Sequence, residues 1–253
     1  MRVAALYDIH GNLPALRAVL ADVAREGVGM VVVGGDVAAG PLPAETVTQL
    51  MALGDGARFV SSNADREVVA AYDQGRRDLD AEQDPSMRAA SYSAGQISEP
   101  QPRFLAGFAP DVVLDIDGLG TTLFCHGSPR SDAEMITTAT PEPRLRDMLD
   151  GVSEPVVVCG HTHRQFDRRV NGWRVINAGS VGMPYEGTVG AYWALLGPTV
   201  ELHRTEYDLD EGLKELRAGG LPDVDEMLRE SLLEPMNADE VADLFEGQAT
   251  GGN

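Results

Sequence analysis

Arg2-Val3-Ala4-Ala5-Leu6-Tyr7-Asp8-Ile9-His10-Gly11-Asn12 is a compact apolar run that stops on an Asp-x-His. The run has the length and character of a buried strand, and Met1 to Tyr7 is too short for a secretory signal. In an extended step the side chains at i and i+2 share a face, so Asp8 and His10 can point into one cleft. Working outward, Leu16, Val19, Leu20 and Val23 recur at helical spacing between Pro14 and Glu26, with Asn12 placed to cap the helix. Met30-Val31-Val32-Val33 is a second buried strand closed by Gly34-Gly35-Asp36. A second helix fits Ala44 to Leu53, and Arg58-Phe59-Val60 is a third strand ahead of Ser62-Asn63-Ala64-Asp65. Strand, helix, strand, helix, strand implies parallel pairing with right-handed crossovers.

The second half is organised differently. Val112–Asp117 and Thr121–Cys125 flank Gly118-Leu119-Gly120, and Arg168–Val170 and Arg174–Ile176 flank Asn171-Gly172, both hairpin signals. Val156–Cys159 is a further buried strand, and Gly190–Leu196 with Val200–Arg204 forms a last pair. Two mixed sheets stacked face to face, with helices outside, accommodate both halves. Residues 73–111 are polar and proline-interrupted, with helices expected near 86–97 and 101–108; they are read as a cap or lid within a domain spanning 1–207. From 208 to 253 the chain turns helical and acidic, with Leu213, Leu216, Met227, Leu228, Leu232, Val241, Leu244 and Phe245 available for packing, and Ala249 to Asn253 expected to be disordered.

Composition narrows the function. The formal charge is −20, and residues 206–253 hold 14 Asp and Glu against 3 Lys and Arg. That balance, with no basic, aromatic-rich path, disfavours binding to a nucleic-acid backbone. No apolar run approaches the roughly 18 residues that span a bilayer. Cys125 and Cys159 are the only cysteines and suggest no disulfide framework, consistent with a cytoplasmic setting. Each reads as a small buried hydrophobe, and His203, alone in a terminal strand, reads as structural.

Four of the five histidines fall in three motifs, Asp8-Ile9-His10, Cys125-His126-Gly127 and Gly160-His161-Thr162-His163. With Asp36 and Asn63 they form a set of seven residues, each just past the carboxyl end of a strand, where loops of an α/β sheet converge on a ligand. Core packing does not call for histidines there, and histidine with carboxylate is a transition-metal donor set. Asp36 can bridge two ions about 3.5–4 Å apart, a spacing suited to clamping a phosphate. Arg130 and Arg164, close after His126 and His163, are candidates for gripping phosphate oxygens, and Asn12 is a third, though a helix cap explains it as well. Asp65 reads as a cap.

The ordered motifs resemble those of the calcineurin-like metallophosphoesterase family: Asp-x-His, Gly-Asp, Gly-Asn-His-Asp/Glu (here Ser62-Asn63-Ala64-Asp65), a lone His, and Gly-His-x-His. The resemblance covers about residues 1–205. It implies a four-layer α/β/β/α sandwich, with Asp8, His10, Asp36 and His163 on a first metal and Asp36, Asn63, His126 and His161 on a second. The implied cofactors are two divalent ions, Mn2+ foremost, with Fe, Ni, Zn or Mg as other occupants. A metal-bridging hydroxide would attack the phosphorus of a small phosphate ester, with Asp36 helping to activate it. Asn177-Ala178-Gly179-Ser180 is similar to the family's turn behind the site. In one respect the chain departs: Ala64 stands where many members have a histidine that protonates the leaving group. A small bacterial subgroup shares that lack and resembles phosphodiesterases, so diesters are the expected substrates. A phosphomonoesterase acting on nucleotides or phosphoproteins and a non-catalytic scaffold with the same fold are the alternatives.

Overall fold

Along the first strand Ala4 and Leu6 pack into one apolar cluster while Val3, Ala5 and Tyr7 pack into another, so every side chain of this strand is buried. A strand covered on both faces belongs in the middle of a layered structure. The computed structural model describes residues 1–75, 79, 82, 84–234 and 238–251. Its first sheet holds β1 (Val3–Leu6), β2 (Met30–Val33), β3 (Ala57–Phe59), β9 (Ala191–Leu196) and β10 (Val200–Thr205), in the order β10-β9-β1-β2-β3. The second holds β4 (Val112–Ile116), β5 (Gly120–Phe124), β6 (Val156–Cys159), β7 (Phe166–Val170) and β8 (Trp173–Asn177), in the order β4-β5-β6-β8-β7. In the first, β1, β2 and β3 are parallel, and in the second β5, β6 and β8 are parallel; the outer pairings are antiparallel.

Phe124, Val156, Val158 and Ile176 of the second sheet meet Val3, Ala5, Tyr7 and Val32 of the first in a shared inner core. Their strand neighbours Leu123, Val157 and Val175 turn outward to α6 (Glu142–Met148). On the far side of the first sheet lie α1 (Leu13–Glu26), α2 (Pro43–Met51), α3 (Asn63–Asp73), α4 (Pro85–Gln96) and α5 (Gln101–Ala106). This is the expected four-layer α/β/β/α sandwich of two mixed sheets. Cys125 and Cys159 are buried, unpaired members of the outer cluster of the second sheet. Burial pushes both thiols up, which keeps them protonated and unreactive.

The local chemistry matches the strand and helix pattern. Asn12 caps α1, its Oδ1 accepting from Ala15 N at 3.1 Å, and Gly27 at φ 61° ends the helix. Helix α6 escaped the sequence reading because seven residues give too little periodicity to stand out. The segment 73–111 supplies α4 and α5, whose Ala90, Ile97 and Leu105 join the core beneath α2 and α3. Its described part is therefore a wall of the outer helical layer. Residues 76–78, 80, 81 and 83 lie outside the described residues.

Beyond β10 the chain forms α7 (Leu209–Ala218), α8 (Val224–Leu228), a wider π turn (Arg229–Leu233) and α9 (Ala238–Gly251). Leu213, Leu216, Leu228 and Leu232 pack on Leu13 and Leu42. Helix α9 returns to the loop after β5, where the Glu246 carboxylate accepts from Thr137 Oγ1 at 2.9 Å, Thr140 Oγ1 at 2.5 Å and Arg144 Nη1 at 2.9 Å. It stays helical through Gly251, past the Ala249 at which composition predicts disorder; residues 252 and 253 lie outside the described residues. Among the described residues no helix is long and apolar enough to cross a membrane.

Candidate metal centre

The loops past β1, β2, β5 and β6, together with the first turn of α3, bring the seven expected residues to one edge of the sandwich. Asp8 and His10 follow β1, Asp36 follows β2, Asn63 begins α3, His126 follows β5, and His161 and His163 follow β6. Ligand atoms of Asp8, His10, Asp36 and His163 all lie within 4.8 Å of one another. Those of Asp36, His126 and His161 do the same, so the two groups share Asp36. Each sheet contributes to both groups.

Backbone shape explains the convergence. Asp8, His10, Asp36, His161 and His163 sit at φ 53°, 49°, 52°, 66° and 57°. Left-handed backbone is uncommon outside glycine and costs on the order of 1 kcal/mol per residue; it clusters where function demands it. Hydrogen bonds from behind hold the loops in place. Ser62 Oγ accepts from Asp36 N at 2.8 Å, and Asp65 Oδ1 accepts from Val37 N at 3.0 Å and Ala38 N at 3.1 Å. Asp65, expected to cap the helix or, less favoured, to orient its neighbours, thus buckles the Asp36 loop to α3. Asn177 Nδ2 donates to Gly160 O at 2.7 Å, Ser180 Oγ donates to Asp8 O at 2.7 Å, and Asp8 Oδ2 accepts from His161 N at 2.9 Å. The Asn177–Ser180 turn therefore braces both sides of the cluster. Beneath it the Tyr7 ring fills the space between the sheets, its hydroxyl donating to Val158 O at 3.1 Å. Only glycine fits at 34 and 160, because a Cβ would lie 1.9 Å and 2.3 Å from that ring.

The ring nitrogens reveal what the cluster lacks. Nδ1 of His10 lies 3.2 Å from Ala39 O, and Nδ1 of His163 lies 2.8 Å from Met183 O. A carbonyl only accepts, so both Nδ1 atoms carry hydrogen. The two Nε2 atoms, 3.1 Å apart, then aim lone pairs at each other while the rings are neutral. Burial lowers both rings below the ordinary histidine value, and for His163 the neighbouring His10 adds to it, so neutral is the favoured state. A cation against both atoms relieves that opposition. His126 Nδ1 likewise faces Gly34 O at 2.8 Å, leaving Nε2 3.2 Å from His161 Nδ1 and 3.5 Å from Asp36 Oδ2. Asp8 Oδ1 and Asn63 Oδ1 are buried with no hydrogen-bond partner. Buried oxygens left unpaired are costly, and Asp8 Oδ1 lies 3.7 Å from His163 Nε2 and 3.9 Å from His126 Nδ1. The donor set fits divalent ions.

Electrostatics in the metal-free cluster follow from burial and mutual charge. Burial would raise Asp36, but His126, His10 and His161 outweigh it and hold the carboxyl well below its usual range. Burial would lower His126, yet Asp36 and Asp8 push it up to about 10. Burial and the charge on His126 drive His161 down to about 4. Burial raises Asp8 well above the usual carboxylate range; His126 opposes it and Asp36 adds to it. Burial, then Asp36, lifts Asp65 to about 6.

The three expected substrate contacts fare differently. Asn12 spends its amide inside the protein, capping α1 and donating to Gly182 O at 3.0 Å. All three nitrogens of Arg130 are engaged by Glu134 and Asp147, at 2.7–3.2 Å. Arg164 donates to Thr138 Oγ1 at 3.3 Å and lies in the crevice formed with Val241 and Phe245 of α9. The donors of Asn12 and Arg130 are taken by nearer carbonyls and acids, and Arg164 turns one of its donors to Thr138. His203 stacks on Trp193, the structural part expected of it. On the rim, Tyr185 stacks on His163 with centroids 5.0 Å apart, and Phe245 follows at 6.1 Å. No motif signalled that aromatic wall.

Comparisons with known proteins agree with this architecture. The uncharacterized protein MJ0912 of Methanocaldococcus jannaschii is 26% identical over 242 residues, covering 87% of this chain and 94% of its own. The crystal structure of the hypothetical protein PH1004 from Pyrococcus horikoshii superposes with a TM-score of 0.80 at 20% identity, covering 94% of this chain and 99% of that one. A metallophosphoesterase from Sphaerobacter thermophilus superposes with a TM-score of 0.69 at 27% identity, covering 90% and 98%. The model of the calcineurin-like phosphoesterase superfamily domain matches residues 1–196, from the first strand through β9, and the chain belongs to that superfamily.

Proposed function

We propose that the chain is a two-metal phosphoesterase that prefers phosphodiesters. The observation that carries the reading is the pair of donor groups sharing Asp36, each with its ligand atoms within 4.8 Å of one another, beside buried oxygens left without partners. Asp8, His10, Asp36 and His163 would hold one ion, and Asp36, Asn63, His126 and His161 the other. Two such ions supply a nucleophilic hydroxide at neutral pH and positive charge against the reacting phosphoryl group. Asp36 is bound to both groups by position and kept ionised by the histidines around it. The backbone carbonyls of Ala39, Gly34 and Met183 fix the tautomers of His10, His126 and His163, so their Nε2 atoms stay free to bind.

The preference for diesters rests on Ala64 and on local charge. Ala64 is buried in the apolar cluster and its N–H donates to Asp36 Oδ1 at 3.2 Å, so no side chain there can protonate a leaving group. General-acid help is worth roughly 10²–10⁴-fold, and poor leaving groups suffer most from its loss. A phosphomonoester carries close to two negative charges at neutral pH and a diester one. Glu67, close to Asp36 and with Oε2 buried and unpartnered, opposes a dianion more than a monoanion.

The test is turnover of matched diester and monoester model substrates by Mn2+-loaded protein. Faster diester hydrolysis is expected. Faster monoester hydrolysis overturns the preference, and absence of both turnover and bindable metal supports the scaffold instead.

A further inference from the structure

We propose that Arg66 binds a non-bridging phosphate oxygen at the mouth of the centre, on the side of His126 and His161. This inference rests on the phosphoesterase reading. With 3.6 residues per turn, Arg66 and Glu67 follow Asn63 at i+3 and i+4 and share its face of α3. Ala64, Asp65, Val68 and Ala71 are the buried residues of the helix. The stripe that begins with Asn63 in the cluster therefore continues up the cleft wall as Arg66 and Glu67.

The guanidinium is fixed there. Its Nε lies 2.7 Å from Asp132 Oδ2 and its Nη2 lies 2.9 Å from Asp132 Oδ1, a two-pronged bond. Asp132 belongs to the loop that follows His126, and it is close enough to His161, with the Ala133 carbonyl, to favour that ring's charged form. The bridge thus spans from α3 to the loop beside the second donor group. Nη1 makes no hydrogen bond among the described residues, and 60% of the side chain is exposed. A planar cation clamped along one edge and open along the other is built to accept an oxyanion.

The alternatives are committed elsewhere. Arg130 is saturated by Glu134 and Asp147, and Arg164 lies under α9. Glu67, the next residue on the stripe, leaves Oε2 buried and unpartnered and repels an anion unless a cation stands beside it. Arg66 is that cation.

The experiment compares wild type, Arg66→Ala, Arg66→Lys and Asp132→Asn as Mn2+-loaded full-length proteins. It measures KM and kcat on a model phosphodiester, competitive inhibition by inorganic phosphate, Mn2+ affinity and thermal midpoint. Arg66→Ala should raise KM and weaken phosphate inhibition together by about 10- to 100-fold, with Mn2+ affinity unchanged. Arg66→Lys should recover part of that loss, and Asp132→Asn should show a smaller defect of the same kind. Unchanged KM and phosphate inhibition overturn the proposal. So does a loss confined to Mn2+ affinity and thermal midpoint, which marks the bridge as structural only. A wild type that neither turns over the ester nor binds phosphate overturns the phosphoesterase reading and this proposal with it; an active wild type with an indifferent Arg66→Ala overturns this one alone.

Discussion

Loading the centre with Mn2+ must expel a proton from His126, and the size of that penalty can be worked out. In the metal-free chain Asp36, with Oδ2 3.5 Å from Nε2, and Asp8 overcome burial and hold the ring protonated up to about 10. At pH 7.5 the ring starts charged, about 2.5 pH units below that midpoint, so displacing its proton costs an incoming ion roughly 3 kcal/mol. His161, at about 4, and the burial-lowered His10 and His163 arrive neutral and release nothing. The direction follows from the raised midpoint: the proton competes at every pH below about 10, and the competition fades as pH climbs. Apparent affinity at the His126 group should rise about tenfold per pH unit between roughly 6.5 and 9. The assay is calorimetric titration of Mn2+ into chelator-stripped protein, in two buffers of unlike protonation enthalpy. Roughly one proton should leave per protein at pH 7.5, and His126→Asn should abolish most of that release. Zero release, with affinity flat across this pH range, refutes the reasoning.

Asp36→Asn should leave the circular dichroism spectrum unchanged, since Asn tolerates left-handed backbone, while activity falls by at least ~10³-fold and Mn2+ ceases to raise the thermal midpoint; retained turnover would remove Asp36 from the shared position. Gly34→Ala places a methyl 1.9 Å from the Tyr7 ring between the sheets and should cost about 1–3 kcal/mol, seen in calorimetry as a midpoint lowered by several degrees. An unshifted midpoint would mean the ring can move aside. Ala64→His should lower stability by a similar amount, because position 64 is 8% exposed and packed in the apolar cluster. A stable variant with faster monoester hydrolysis would show that the ring can turn into the cleft.

Much of this was legible in the sequence, for identifiable reasons. Buried strands such as Val156–Cys159 announce themselves as continuous apolar runs, and the residue that follows each run is placed by the sheet without any long-range information. What the sequence withholds is competition between partners. Arg130 follows His126 by four residues, but Asp147, seventeen residues further on, shares it with Glu134. The buckle from Asp65 to Val37 and Ala38, and the Glu246 anchor of α9, join residues 27 to 109 apart. No local period encodes such bonds. Arg66 stands beside a motif, but its partner Asp132 is distant in sequence and near only in space.

The left-handed backbone at Asp8, His10, Asp36, His161 and His163 also bears on how the sequence of this fold can change. Glycine enters that region without steric penalty, so at these five positions the residue best for folding and the residue best for binding an ion are different residues. A descendant that no longer bound metal would be free to drift toward glycine there, and its fold would gain by it.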